Sequence, residues 1–364
     1  MTLTPRPGIM AIKPYVGGEA AIPGRANVVR LASNENPLGP SPEAVEAYGA
    51  GAGALHRYPD GGAARLRETI AAVHGLEAAR VVCGAGSDEL ITLLIRGYAG
   101  PGDEIVHSAH GFLMYAIAAR AAGAKPVAAP ERDLTADVDA LLAAVGPKTR
   151  MLFLANPNNP TGSYLPASEL HRLRAGLPDS VLLVLDAAYA EYVRADDYEA
   201  GTALVEAGDN VVMLRTFSKI HGLASLRLGW AYAPPDVVGV LNRVRGPFNV
   251  SQAAQDAGVA ALLDGDHVRR SVDHNAEWLA WFRNQVIGLG LQAAPSVGNF
   301  VLVRFPGTPD RDAGTAAAFL KEHGMLVRAM GGYGLPDCLR VTIGTEPEMR
   351  AVVEALAEFV ARPA

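Results

Sequence analysis

The chain has 364 residues, of which 49% are hydrophobic and 19% charged, a composition typical of globular proteins that excludes a disordered chain. This length predicts about two domains. The net charge of −6, without a basic stripe, argues against nucleic acid as a partner. No apolar run approaches the roughly 18–20 residues that span a bilayer. Residues 1–10 lack the apolar core of a signal peptide, so we expect a cytoplasmic protein.

From residue 80 onward, short apolar strands alternate with helical patterns. The predicted strands are 80–83, 104–107, 125–128, 151–155, 181–186, 211–214 and 228–233, and the predicted helices between them are 88–98, 112–122 and 136–145. The runs 151–155 and 181–186 are continuously apolar, as in strands buried on both faces of a parallel sheet. The alternation predicts a doubly wound α/β domain.

The pattern changes after residue 262. A long helix, 266–287, carries Trp278 and Trp281, which we expect to pack in the smaller domain; strands 299–305 and 339–343 and helices 312–323 and 346–361 follow. We therefore predict an N-terminal arm, 1–40, that is part of a small domain, a large α/β domain, 41–262, and a small C-terminal α+β domain, 263–364. We expect His267 and His274 to lie on the surface and no metal site.

Unusual polar residues follow four of the predicted strands, at the strand ends where open α/β sheets bind ligands. Gly84–Glu89 is a turn of small residues that suits either a phosphate cradle or a plain helix cap by Ser87 or Asp88. Asn156–Gly162 holds three asparagines and two prolines, more than one turn needs. We expect the four strand ends to lie together.

The third and fourth strand ends carry ionisable groups. Asp186 ends a buried apolar run, and Tyr189 lies three residues further on. A carboxylate at such a position is costly unless it has a partner, and a helix cap is the alternative. Thr216, Ser218 and Lys219 follow the next strand. Lys219 is one of only five lysines, and a partly desolvated amine forms Schiff bases, although a solvated loop lysine is the alternative.

Together these groups are what pyridoxal phosphate requires. They are an amine to form an imine, a carboxylate for the ring nitrogen, a phenol and an amide for the ring hydroxyl, and a phosphate cradle with an arginine. The segment 157–162, Asp186 with Tyr189, and Ser218-Lys219 with Arg227 resemble the fold-type I aminotransferases of class I and II. More narrowly, the segments 33–42, 57–60 and 335–345 resemble the histidinol-phosphate aminotransferases.

The resemblance implies a mostly parallel seven-stranded sheet in the large domain, a smaller α+β domain and a homodimer. It implies that Lys219 binds pyridoxal phosphate and acts as the base, that Asp186 pairs with the ring nitrogen, and that Tyr189 and Asn159 bond the ring hydroxyl. Further cofactor contacts would come from Gly86, Ser87, Asp88, Phe112, Thr216, Ser218, Arg227 and, from the neighbouring subunit, Tyr58. The residues implied to face the substrate are Tyr15, Asn34, Arg328 and Arg340.

The implied reaction is amino transfer between L-histidinol phosphate and 2-oxoglutarate in histidine biosynthesis, giving imidazole acetol phosphate and glutamate. An aromatic amino acid aminotransferase acting on phenylalanine and tyrosine, alone or with dual specificity, is the first alternative. A pyridoxal-phosphate lyase related to threonine-phosphate decarboxylases and a non-catalytic cofactor-binding module are the others. Ala187, His110 and His221 depart from the usual family pattern and bear on specificity.

Overall fold

The computed structural model describes residues 3–362, so the ends of the predicted arm and C-terminal domain, Met1, Thr2, Pro363 and Ala364, lie outside the described residues. Its strands are β1 (Val29–Leu31), β2 (Val81–Gly84), β3 (Glu104–Ser108), β4 (Lys125–Ala129), β5 (Glu131–Arg132), β6 (Thr135–Ala136), β7 (Thr149–Ala155), β8 (Leu182–Asp186), β9 (Val211–Thr216), β10 (Gly229–Tyr232), β11 (Gln292–Ala293), β12 (Phe300–Arg304), β13 (Met325–Ala329) and β14 (Cys338–Thr342). Its α-helices are α1 (Pro42–Ala50), α2 (Ala64–His74), α3 (Ser87–Tyr98), α4 (Leu113–Ala122), α5 (Val138–Ala143), α6 (Ala167–Gly176), α7 (Thr202–Ala207), α8 (Pro235–Val244), α9 (Gln252–Leu263), α10 (Gly265–Gly288), α11 (Ala313–Glu322) and α12 (Glu346–Ala361).

The larger sheet has seven strands in the order β2-β10-β9-β8-β7-β3-β4. Only β10 runs antiparallel to its neighbours, so the other six strands present their carboxyl ends at one edge. The predicted mostly parallel seven-stranded sheet is therefore confirmed. All five residues of β8 are buried, as its unbroken apolar sequence predicted.

Helices cover both faces of this sheet, and alternate residues of its strands point into the two helical layers. On β7, Leu152 and Leu154 pack in the core shared with α2, α5, α6 and α9, whereas Met151 and Phe153 pack in the core shared with α3, α4 and α8. This is the doubly wound arrangement that the alternating sequence pattern predicted.

A second sheet of five strands has the order β1-β13-β14-β12-β11 and packs against α10, α11 and α12. Trp278 and Trp281 pack in this core, as expected. One of its two edge strands, β1, lies within the predicted N-terminal arm and pairs parallel to β13. No helix within residues 3–362 is long and apolar enough to cross a membrane.

The predicted surface position of the α10 histidines is wrong for His267 and holds only in part for His274. His267 is buried, with a ring nitrogen 3.0 Å from the Gly39 carbonyl oxygen, and His274 is half-buried, with a ring nitrogen 2.9 Å from the Gly344 carbonyl oxygen. Each ring contacts a loop carbonyl that is remote in sequence, and helical spacing alone does not reveal such a partner.

Candidate active site

The carboxyl ends of β2, β7, β8 and β9 open onto one cavity of about 270 Å³ between the two sheets. Fourteen of the sixteen predicted site residues line it: Tyr15, Asn34, Ser87, Asp88, Phe112, Asn159, Asp186, Tyr189, Thr216, Ser218, Lys219, Arg227, Arg328 and Arg340. The four strand ends therefore lie together, as the sequence predicted. Gly86 and Tyr58 are not part of the lining.

Lys219 follows the end of β9 and projects into the cavity. Its Nζ donates to the Ser33 carbonyl oxygen at 3.1 Å, and the turn before it is held by the Ser218 amide, which donates to Thr216 Oγ1 at 3.1 Å. Burial, with the nearby Arg340 guanidinium, lowers the pKa of Lys219 from 10.5 to about 8. The position is not that of a solvated loop lysine, and an amine so perturbed is a good nucleophile.

Asp186 is buried at the end of β8 and caps no helix. Its Oδ2 accepts a hydrogen bond of 2.7 Å from the Tyr115 hydroxyl, whereas its buried Oδ1 has no hydrogen-bond partner within residues 3–362. Burial raises the pKa of Asp186 to about 6. A carboxylate oxygen left unpaired at a cavity wall suits a protonated ring nitrogen.

Tyr115 was missed by the sequence analysis. It lies on α4 among apolar residues, a context that gives no sign of a polar contact. In the predicted helix 112–122, Tyr115 lies three residues from Phe112 and so on the same face, and this spacing was the one available sign that Tyr115 lies near the site.

The start of α3 forms an anion cradle. The helix begins at Ser87 after Gly86, whose φ is 88°, and no side chain caps it, which excludes the plain helix cap considered above. Arg227 Nη1 donates to Ser218 Oγ at 3.2 Å and Nη2 to Asp88 Oδ2 at 3.1 Å. A Cβ on Gly86 would collide with the Arg227 guanidinium, so glycine lets that cation approach the helix N-terminus. Free N–H groups beside a guanidinium suit a phosphate.

A polar wall closes the side of the cavity towards the smaller sheet. Asn34 Nδ2 donates to the Tyr189 hydroxyl at 2.9 Å. Arg340 donates to Asn159 Oδ1, and its Nη2 donates to the Ala32 carbonyl oxygen at 2.7 Å. This wall links the predicted cofactor residues Tyr189 and Asn159 directly to the predicted substrate residues.

Only one asparagine of the Asn156–Gly162 segment lines the cavity. Asn156 bonds the backbone of Leu165 in both directions, and Asn158 donates to Thr161 Oγ1 and the His110 carbonyl oxygen. These two side chains hold the loop, which leaves Asn159 facing the cavity.

Aromatic rings surround the outer part of the cavity. Tyr15 lies edge-on to Phe112, with 6.5 Å between ring centroids, and the Arg328 guanidinium carbon is 5.9 Å from the Tyr15 centroid. Tyr333 also lines the cavity and is buried, but the sequence analysis did not select it. Its place in a glycine-rich turn, Gly331–Gly334, was the available signal.

Tyr58 lies outside the cavity of its own chain. Its side chain is 83% exposed and stacks on Phe248 with 4.7 Å between centroids. Its predicted contact with a neighbouring subunit stays a prediction. Two of the positions that depart from the family pattern are histidines outside the cavity lining. His110 Nδ1 lies 2.7 Å from Glu131 Oε2, and the buried His221 ring lies beside Phe217.

The residues present fit pyridoxal phosphate, the cofactor that the sequence resemblance implies. The cavity offers an amine with a lowered pKa, an unpaired carboxylate oxygen and an anion cradle at three separate strand ends. These meet the needs of an aldehyde, a pyridine nitrogen and a phosphate respectively.

Comparisons with known proteins agree with this chemistry. Residues 26–356 match the sequence model of "Aminotransferase class I and II". The chain is 63% identical to the histidinol-phosphate aminotransferase of Paramagnetospirillum magneticum, covering 98% of each, and 56% identical to that of Maricaulis maris, covering 99% of each. Its fold matches the crystal structure of histidinol-phosphate aminotransferase from Sinorhizobium meliloti in complex with pyridoxal-5'-phosphate, with a TM-score of 0.89, 30% identity and coverage of 98% and 97%. This chain belongs to the aminotransferase class I and II family.

Proposed function

We propose that this enzyme binds pyridoxal phosphate and transfers the amino group of L-histidinol phosphate to 2-oxoglutarate, giving imidazole acetol phosphate and glutamate. The observation that carries the proposal is that two arginines, Arg328 and Arg340, line the same cavity as Lys219. The relatives that share 53–63% identity over nearly the whole chain are histidinol-phosphate aminotransferases, which supports this choice of substrate.

The bound cofactor supplies an electron-accepting ring and an aldehyde. Lys219 Nζ would hold it covalently and, once released, take the proton from the amino-bearing carbon of the substrate. Asp186 Oδ1 would hold the protonated ring nitrogen, and the α3 N-terminus with Arg227 would hold the phosphate. Tyr189 and Asn159 would orient the ring hydroxyl, and Phe112 would cover the ring face.

The two arginines account for both substrates of one amino transfer. A guanidinium binds phosphate or carboxylate through paired charge-assisted hydrogen bonds. Histidinol phosphate has no carboxylate, so its dianionic phosphate would occupy Arg328 and Arg340. Glutamate and 2-oxoglutarate would place a carboxylate on Arg340, the more deeply buried of the two.

We further propose a homodimer in the cytoplasm. Exposed apolar side chains are concentrated within a short stretch of α1 and the segment after it, namely Val45, Tyr48, Leu55 and Tyr58. Exposed apolar side chains grouped in this way along the chain favour a protein interface, and two-fold pairing is the commonest form. The two cysteines, Cys83 and Cys338, are free and buried, which suits a reducing compartment.

Steady-state kinetics with 2-oxoglutarate as acceptor test the proposed reaction. Histidinol phosphate, phenylalanine and tyrosine are compared as donors, with glutamate formation as the readout. We expect the highest kcat/KM with histidinol phosphate. A preference for phenylalanine or tyrosine assigns the aromatic aminotransferase instead, and release of carbon dioxide from threonine phosphate without glutamate formation assigns the lyase.

A further inference from the structure

Tyr115 contacts the candidate active site without lining it. The side chain is fully buried on α4, and its hydroxyl lies 2.7 Å from Asp186 Oδ2. Burial and the neighbouring carboxylate raise the pKa of this phenol well above its usual value, so the hydroxyl keeps its proton and acts as the donor. The bond connects helix α4 to the end of strand β8.

Two aromatic rings fix the direction of this hydroxyl. Tyr115 stacks on Phe153 of β7, with 4.8 Å between centroids and 18° between planes. It also meets Phe112 edge-on, at 5.9 Å and 89°. These contacts hold the ring in place, and it connects the aromatic cover of the cavity with the carboxylate at the cavity floor.

The two oxygens of Asp186 have different surroundings because of this bond. Oδ2 is occupied by the phenol, Oδ1 has no hydrogen-bond partner within residues 3–362, and the nearby Ala188 backbone amide favours the charge of the carboxylate. The other ionisable groups that interact with Asp186 are Asp88, Lys219, Tyr189 and Tyr198. Burial is the largest influence on the carboxylate and opposes its charge, and the Tyr115 hydrogen bond is the largest influence that favours the charge.

We propose that Tyr115 is a positioning residue that directs Oδ1 of Asp186 to the cofactor's ring nitrogen and keeps the carboxylate ionised there. The inference rests on the proposed function, since it assigns the partner of Oδ1 to pyridoxal phosphate. Without the phenol, the Asp186 carboxylate becomes more basic, so the proton that it shares with the ring nitrogen lies closer to the carboxylate. The ring then carries less positive charge. The nitrogen that joins the cofactor to Lys219 therefore stays protonated up to a higher pH.

The test is Tyr115→Phe, which keeps the ring and removes the donor. Two quantities besides activity are measured, the dissociation constant of pyridoxal phosphate and the pH midpoint of the holoenzyme's visible absorbance. We expect the dissociation constant to rise about tenfold and the midpoint to move up by ~0.5–1 pH unit, as for loss of a hydrogen bond to a charged group. We expect kcat to fall about tenfold with little change in KM.

Tyr232→Phe is the matched control. Tyr232 is as fully buried as Tyr115 and lies on β10, in the sheet that holds Asp186; its hydroxyl is 3.4 Å from the Glu206 carboxylate, and it is not in the cavity lining. This variant should retain the wild-type dissociation constant and midpoint. A matching shift in Tyr232→Phe would overturn the proposal, because the effect would then follow from losing any buried phenol.

A ring-fluorinated tyrosine placed at position 115 gives a second measurement that does not depend on how Tyr115→Phe folds. Its hydroxyl is more acidic and a stronger donor, so the midpoint should move down. The inference is wrong if the midpoint does not move or moves up, or if folded Tyr115→Phe keeps wild-type values. A wild-type enzyme that binds no pyridoxal phosphate would instead contradict the proposed function.

Discussion

Arg328 on β13 lies directly opposite Arg340 on β14 in the antiparallel pairing of these strands. Like charges at opposed positions destabilise a sheet unless something neutralises them. Arg340 meets two acceptors, Asn159 Oδ1 and the Ala32 carbonyl oxygen, but neither carries a full negative charge. The sheet register thus places two guanidiniums at the same cavity, where an anionic substrate would neutralise them.

The arginine pair leads to a prediction about substrate choice. Arg328→Ala should raise the barrier for histidinol phosphate by about 1.5–3 kcal/mol, roughly tenfold or more in kcat/KM, because one charge-assisted contact to the phosphate is lost. The loss with phenylalanine should be smaller, since Arg340 still holds its carboxylate. Arg304→Ala, on the same sheet but outside the cavity, serves as the control. Equal losses for both donors would refute this division of labour.

Lys219 should be essential for amino transfer. Lys219→Ala should lower turnover by more than the 10²–10⁴-fold typical of losing one general base, because in the proposed function the same amine would also hold the cofactor and release product. Labelled borohydride should mark the wild-type enzyme on the peptide that contains Lys219 and leave the variant unmarked. Lys148→Ala, at an exposed lysine, should behave as wild type. Label on any other peptide would contradict the assignment.

The lowered pKa of Lys219 also predicts a pH-dependent stability of the cofactor-free protein. Its pKa is about 8 when folded and 10.5 when unfolded, so the unfolded chain binds more protons between these values and stability rises with pH across that window. Below pH 8 the buried charged amine is a cost. Lys219→Met should therefore be more stable than wild type at pH 7, by up to about 3 kcal/mol.

Urea unfolding of the cofactor-free proteins measures this difference. The advantage of Lys219→Met should shrink as the pH rises from 8 towards 10.5. Lys148→Met, at an exposed lysine, corrects for general effects of pH and should show no such trend. A constant difference at all pH values would mean that the amine is not desolvated.

The proposed dimer predicts a linked loss of assembly and activity. Leu55→Glu places a charge on the exposed apolar segment after α1, and we expect light scattering to report a monomer with low activity, since Tyr58 could no longer reach a partner's cofactor site. Ile287→Glu, at a similarly apolar exposed position on α10, should remain dimeric. A fully active monomer would overturn the shared site.

The features that could be predicted from the sequence are those that depend on the pattern of neighbouring residues. The unbroken apolar run before Asp186 indicated a buried parallel strand, and the position of Lys219 after another strand end placed both at one edge of the sheet. The contacts of Tyr115 and His267 could not be read in this way. Each depends on a partner far along the chain, the Asp186 carboxylate and the Gly39 carbonyl oxygen respectively, and a buried phenol or imidazole looks like ordinary core until that partner is known.

The parallel pairing of β1 with β13 joins Val29 to Met325. Closing so long a loop costs entropy, so we expect this edge of the smaller sheet to form late in folding. Ser33 and Asn34, which contact Lys219 and Tyr189, follow β1 directly. On the ribosome, Lys219 would therefore leave the exit tunnel and join its own sheet well before the chain can enclose it, so we expect the nascent chain to carry an open, unfinished cavity until β13 has been synthesised.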